Sequence, residues 1–193
     1  MKMLPLAAVT LSLLGCATTP ASNPQDRFFE RLSSLCGMAY AGIVSSPPVA
    51  TDAAFTGKQL IMHVRDCSAD EIRMPFHVGD DRSRTWVVTR TANGLRLKHD
   101  HRHEDGTEDA LTQYGGDTLS YGTERRQEFP ADAYSKELFT EQNSAQSVTN
   151  IWAMEVEPGQ VFAYELRRPG RFFRVDFDLT RPVPPPPPPW GSR

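Results

Sequence analysis

Apolar and polar residues alternate with a period of two along most of this chain, the pattern of strands that bury one face. The stretch from Leu95 to Glu104 shows it best. Its odd positions are Leu95, Leu97, His99, His101 and His103, and its even positions are Arg96, Lys98, Asp100, Arg102 and Glu104. Successive β side chains point to opposite faces, so the pattern predicts a strand whose inner face grades from leucine to histidine. Its outer face is charged throughout. Asp105-Gly106 predicts a hairpin turn that sets Glu108 beside His103, Ala110 beside His101 and Thr112 beside His99.

Other stretches repeat the pattern. Leu60, Met62 and Val64 share one face, and after a Ser68-Ala69-Asp70 turn Ile72, Met74, Phe76 and Val78 share the next. Folding about that turn pairs Val64 with Met74 and Met62 with Phe76, and it sends His63 and His77 to the solvated side. A turn at Gly79-Asp80-Asp81 puts Phe76 beside Arg84 and Met74 beside Trp86. Asn93-Gly94 is a further hairpin signal, pairing Val88 with His99, Trp86 with His101 and Arg84 with His103. The C-terminal part reads as a meander with Trp152, Met154 and Val156, then Phe162, Tyr164 and Leu166, then Phe173, Val175, Phe177 and Leu179 on one face. Helical spacing appears twice. Phe28, Phe29, Leu32 and Leu35 predict a short amphipathic helix over Arg27 to Leu35 that plugs one end, and Asp132 caps a second over Ala133 to Phe139. Asp117 to Asn150 otherwise reads as irregular, with Gly115-Gly116 breaking the strand before it. About nine antiparallel strands without a βαβ repeat predict an all-β domain: a single up-and-down, calycin-like β-barrel, with a jelly roll or β-sandwich as the alternative.

The N-terminus changes the picture. Lys2 precedes an apolar run from Met3 to Leu14, too short to span a bilayer and organised like a signal peptide. Leu13-Leu14-Gly15-Cys16 resembles the lipobox of bacterial lipoproteins. That resemblance implies cleavage before Cys16, lipid on its sulfur and, with Ala17 following, an outer-membrane anchor facing the periplasm; the alternative is ordinary secretion. With Cys16 lipidated, Cys36 and Cys67 remain as a pair in an oxidising space and read as one disulfide. The chain then divides into a signal peptide (1–15), a lipidated tether (16–26), the barrel domain (27–181) and a Pro-rich tail (182–193). Unbroken proline from Pro184 to Pro189 forms a polyproline II rod without backbone donors, available to a partner. A formal charge of −3 argues against nucleic acid as a ligand.

Candidate chemistry collects at the histidine end of the inner face. His101 and His103, consecutive on that face, could share a divalent transition metal with Glu108 as an oxygen ligand. The pattern Gly94-x6-His101-x-His103-x4-Glu108-x6-Gly115 resembles the first cupin motif, one residue off in its first spacer, and that resemblance implies a metal-dependent enzyme. A second cupin motif is missing, since no histidine follows His103. A competing reading takes Arg82 and Arg84, with the histidines, as a basic mouth for an organic anion, walled by Trp86 and Tyr114 and completed by His99 and Thr112. A third makes the cluster a buried polar network in an envelope lipoprotein whose Pro-rich tail makes the contacts. Nucleophilic catalysis lacks support, because Asp100 points away from His101 and no nucleophile elbow surrounds Ser83. Glycosidase chemistry needs two opposed inward carboxylates, and only Glu108 is placed. The mature domain also resembles secreted bacterial proteins that share strings such as HVGDDRSRTW, LKHDHRHEDG and RRPGRFFRVDFDLT and carry no assigned activity. The leading expectation is a lipid-anchored barrel that binds a small ligand, an organic anion or a metal ion, at its His- and Arg-rich mouth, with the metal-dependent enzyme and the structural envelope lipoprotein as alternatives.

Overall fold

The computed structural model describes residues 23–192, so the expected signal peptide, Cys16 and most of the expected tether lie outside the described residues. Eleven strands follow one another: β1 (Ala39–Val44), β2 (Leu60–His63), β3 (Asp66–Cys67), β4 (Glu71–Val78), β5 (Asp81–Thr91), β6 (Gly94–His101), β7 (Tyr114–Asp117), β8 (Arg126–Pro130), β9 (Ile151–Glu157), β10 (Val161–Arg168) and β11 (Arg171–Val183). Ten of them form one antiparallel path, β7-β6-β5-β4-β2-β1-β11-β10-β9-β8, and β3 pairs only with β4. The result is a nearly closed, barrel-like sheet in up-and-down order.

The inner face is the apolar parity of every strand. Met62 lies opposite Phe76, Met74 opposite Trp86, Phe162 opposite both Val156 and Phe177, and Tyr164 opposite Met154 and Val175. Helix α1 (Pro24–Ser33) closes one end, with Phe28, Phe29 and Leu32 no more than 2% exposed. It starts three residues before the expected Arg27, because the Asn23 side chain caps it at the Asp26 N–H and Pro24 suits the first turn. Cys36 and Cys67 are disulfide-bonded, their Cα atoms 6.3 Å apart, tying the segment after α1 to β3. By the chain-entropy model, closing that loop contributes roughly 3–4 kcal/mol.

Three strand expectations are corrected. The 108–114 strand does not form: an isolated bridge joins Arg102 to Glu108, and the chain stays irregular until β7. A strand, β8, appears inside the segment read as irregular. Only Gln127 and Phe129 of β8 are buried, so its alternation is two residues long and weak in the sequence. At the other end β11 runs on through Pro182 to Val183, past the expected boundary at 181. Pro182 is tolerated there because it faces the Tyr40/Gly42 irregularity of β1, where a missing N–H breaks no regular ladder.

No ladder joins β7 to β8, and the seam between them is held by other means. Helix α2 (Ala133–Glu141), capped by Asp132, places its Ser135 hydroxyl to accept from the Gly115 N–H at 2.7 Å. The Gly115 carbonyl accepts from the Asp132 N–H at 2.9 Å. A Cβ on Gly116 would stand 1.8 Å from the Pro130 carbonyl oxygen, so only glycine admits this approach. The glycine pair that the sequence offers as a strand breaker is the closure of the barrel. Gly116→Ala is expected to lower stability by about 1–3 kcal/mol, the usual cost of overpacking, in urea unfolding; an unchanged midpoint would mean that the seam is not tightly packed.

Candidate functional site

The end of the barrel opposite α1 holds a cavity of about 410 Å³. Its wall is aromatic on several strands: Trp86 from β5, His99 and His101 from β6, Tyr114 from β7, Trp152 from β9 and Tyr164 from β10. Phe55, from the loop between β1 and β2, and Phe139 from α2 close in from the rim. The rings pack on one another: Trp86 stacks on Tyr164 at 4.4 Å, His99 on Tyr114 at 4.5 Å, and Phe55 meets Phe173 at 4.8 Å.

His99 sits at the floor and is 2% exposed. Burial pushes its pKa down to about 3, with the neighbouring His101 adding to the effect, so the imidazole is neutral. A carbonyl can only accept, so the contact of Nδ1 with the Tyr114 carbonyl at 3.1 Å makes Nδ1 the protonated nitrogen. Nε2 must then accept the Tyr164 hydroxyl proton at 2.7 Å. The Trp86 ring lies flat against Tyr164, so the contacts run from Trp86 through Tyr164 and His99 to the β7 backbone. Both nitrogens of His99 are used inside the protein, and neither is left for a metal.

His101, one step toward the mouth, is held neutral by burial and by the charge of Arg84, with its pKa lowered to about 4. Its Nε2 meets the Tyr114 hydroxyl at 3.2 Å. Burial raises the pKa of that phenol, so it stays protonated at neutral pH.

Three guanidinium groups line the cavity, and they are not equivalent. Arg84 is paired with Asp81 at 2.5 Å, and Arg171 with the buried Asp52. Arg168, at the end of β10, meets only neutral oxygens: Asn150 Oδ1 at 3.0 Å and Ser147 Oγ at 3.4 Å. Burial and the charge of Arg171 lower its pKa. Among the described residues Arg168 has no carboxylate partner, and neither of its contacts carries charge. Asp109 also lines the cavity, and its carboxylate accepts only the Leu111 N–H at 2.8 Å.

The expected site is thus assembled in part. Arg84, Trp86, His99, His101 and Tyr114 do line one cavity. Thr112 is buried nearby and accepts from the His101 N–H at 2.9 Å, a backbone support outside the lining. Arg82 faces the outer surface, where it donates to the Pro188 carbonyl at 3.1 Å. His103 and Glu108 are exposed, and Glu108 pairs with Arg102. The convergence of His101, His103 and Glu108 therefore does not occur, and among the described residues no group of three His, Cys, Asp or Glu side chains is placed to hold a metal ion.

Two register slips explain the difference. The β5–β6 hairpin closes at Thr91 and Gly94 around Ala92-Asn93, two residues short of the expected pairing, so His99 faces Trp86 and His101 faces Arg84. Gly94, at φ 134°, could not carry a side chain, since a Cβ would lie 2.5 Å from Thr118 Oγ1 and 2.6 Å from Gln25 Nε2. An even slip keeps each side chain on its face and moves His103 past the strand end. The next turn slips by one, pairing Arg102 with Glu108, and an odd slip turns Glu108 to the outer face. Gln113, at φ 58°, then restores the parity, so that Tyr114 faces His99.

On the outer face, His77 and Asp100 have the expected outward parity but are only 3% and 5% exposed. Arg73 and Arg102 bind Asp100. His77 and Asp100 also line clefts that the Pro-rich tail helps to form, which the sequence does not announce. Asp109, which alternation with inward Glu108 and Ala110 would turn outward, lines the cavity because it lies in the irregular 102–113 loop, where alternation no longer applies. Arg168 and Arg171 were missed as well. They flank the Pro169-Gly170 turn, where charged residues read as ordinary turn surface.

No family model, curated protein or solved structure matches the chain.

The buried histidines fix an acid response. His99 takes up a proton near pH 6.5 when unfolded but only near pH 3 when folded. Its contribution to stability is complete above about pH 6.5 and is lost as pH falls toward 3. Burial lowers the pKa of His77 and His101 to about 4, and both act in the same direction. Urea midpoints are expected to fall between about pH 6.5 and 4.5, above most of the carboxylate range, and to fall less steeply in His99→Gln. An identical slope in the variant would show that His99 titrates freely in the folded state.

Proposed function

We propose that this chain is a lipid-anchored protein on the periplasmic face of the outer membrane whose barrel binds a small, flat organic acid. The observation that carries the reading is Arg168, a half-buried guanidinium at the rim of an aromatic cavity with neutral partners only. A cation held in that way gains most from an incoming carboxylate, sulfonate or phosphate, because part of its desolvation has already occurred during folding. The stacked rings offer flat apolar walls to the body of such a ligand. Asp109 adds an acceptor on the rim for an N–H or O–H of the same molecule. Neutral His101, with one of its ring nitrogens bonded to Tyr114 and the other making no hydrogen bond among the described residues, offers a second uncharged polar contact. His103 and Glu108, the expected partners of His101 in a metal site, lie outside this cavity.

The anchor part of the proposal rests on the Leu13-Leu14-Gly15-Cys16 motif and is read from the mass of the Cys16 peptide in membrane-extracted protein; an unmodified peptide would refute it. The cavity part is tested with 8-anilinonaphthalene-1-sulfonate, a flat aromatic anion that fluoresces on burial. Arg168→Ala is expected to weaken its binding about tenfold or more, since hydrogen bonds to charged groups contribute roughly 1.5–3 kcal/mol. Arg181→Ala, at a side chain 86% exposed, is expected to leave the affinity unchanged. Equal affinity in wild type and Arg168→Ala would contradict the anion reading.

A further inference from the structure

The C-terminal tail turns back on the barrel. After Val183 the proline run crosses the outer face over β2, β4 and β5, past Ile61, His77 and Arg82. Proline cannot donate to a sheet edge, so the run lies on top of the strands and does not extend them. Within it Pro186 and Pro189 are half-buried, while Pro184, Pro185, Pro187 and Pro188 are exposed. That spacing of three is one edge of a polyproline II rod. Two hydrogen bonds fasten its end to β5: the Trp190 N–H donates to the Arg82 carbonyl at 3.0 Å, and Arg82 Nη1 donates to the Pro188 carbonyl at 3.1 Å.

The last contact reaches the cavity loop. Gly191, at φ 73°, packs so closely that a Cβ there would stand 2.4 Å from Arg102 Cδ and 3.1 Å from the Gly106 oxygen. Arg102 donates to that same Gly106 oxygen at 3.1 Å and to Glu108 at 3.2 Å, bracing the irregular loop from 102 to 113. Few backbone bonds hold the rest of this loop to β6, among them the Asp109 N–H to the His101 carbonyl and the Gln113 N–H to the His99 carbonyl. Asp109 and Leu111 of this loop line the cavity. β5 is gripped in the same place: Arg82 holds the tail outside, and two residues on Arg84 faces the cavity.

We propose that the proline tail is a strap that sets the rim of the cavity, with Trp190 and Gly191 as positioning residues that act through Arg102 and Gly106. This rests on the cavity being the binding site. It makes ligand affinity depend on a segment that touches no ligand, and by linkage makes ligand binding tighten the strap.

The test uses the full mature chain with Cys16→Ser for solubility, compared with a chain ending at Val183 and with Gly191→Val. The valine variant keeps all residues but cannot seat its end, having neither the space nor a comfortable φ. Two readouts are taken: the affinity for 8-anilinonaphthalene-1-sulfonate, and hydrogen exchange at the Asp109 and Gln113 amides. Both altered chains are expected to lose at least about fivefold in affinity, the lower range of coupled sites, and to exchange faster at both amides. A synthetic peptide of residues 184–193 added in trans should restore affinity to the truncated chain, which a general loss of stability would not allow. Wild-type affinity and exchange in both altered chains would overturn the proposal. If the truncated chain does not fold, Gly191→Val decides alone, because it leaves β11 intact. If Arg168→Ala shows that the dye binds elsewhere, the exchange rates still decide whether the strap holds the loop.

Discussion

An imidazole buried without a carboxylate beside it is neutral, and a neutral imidazole needs one acceptor and one donor. His99 meets that requirement with the Tyr114 carbonyl on one side and the Tyr164 hydroxyl on the other. The consequence spreads across the barrel. Tyr164 is stacked on Trp86, Tyr114 is stacked on the His99 ring, and β5, β6, β7 and β10 meet at the cavity floor. A cavity with a polar, satisfied floor and aromatic walls keeps its shape without a ligand. That arrangement gives the unevenly paired charges at the rim their meaning, since among the described residues Arg84 and Arg171 have carboxylates and Arg168 has none.

Parity was the part of this structure most open to reading from the sequence. Leu95, Leu97, His99 and His101 point inward, as alternation requires, and the C-terminal aromatic faces coincide across both turns. Register was less open. The Asn93-Gly94 pair announces a turn, but whether the loop is centred on Ala92-Asn93 or one residue later depends on what Gly94 must avoid, and that is Gln25 and Thr118, far off in sequence. The even slip did little harm. The odd slip at Asp105-Gly106 was decisive, because it carried Glu108 out and took the carboxylate away from the histidines. A metal site inferred from strand spacing is only as good as the register of each turn between its ligands.

The tail was hidden for a different reason. A run of prolines reads as the end of a domain because it cannot join a sheet, yet nothing prevents it from lying across one. It lies beside Asp100 and His77, polar residues on an outward face that are nonetheless buried. Arg82, whose guanidinium suggested an anion contact, is used to hold the strap. The outer face of β4 to β6 is thus a second, polar interior, and the rim loop lies where the two interiors meet.

The central claim is that this cavity selects its ligand by charge, and matched ligands test it most directly. Calorimetric titration of the folded chain near neutral pH with 1-naphthoate and with 1-naphthamide compares two molecules of nearly one shape that differ in charge. The account predicts measurable binding of the acid and binding of the amide at least about tenfold weaker, as expected for loss of a charge-assisted hydrogen bond. Equal binding of the two, or tighter binding of the amide, would contradict it.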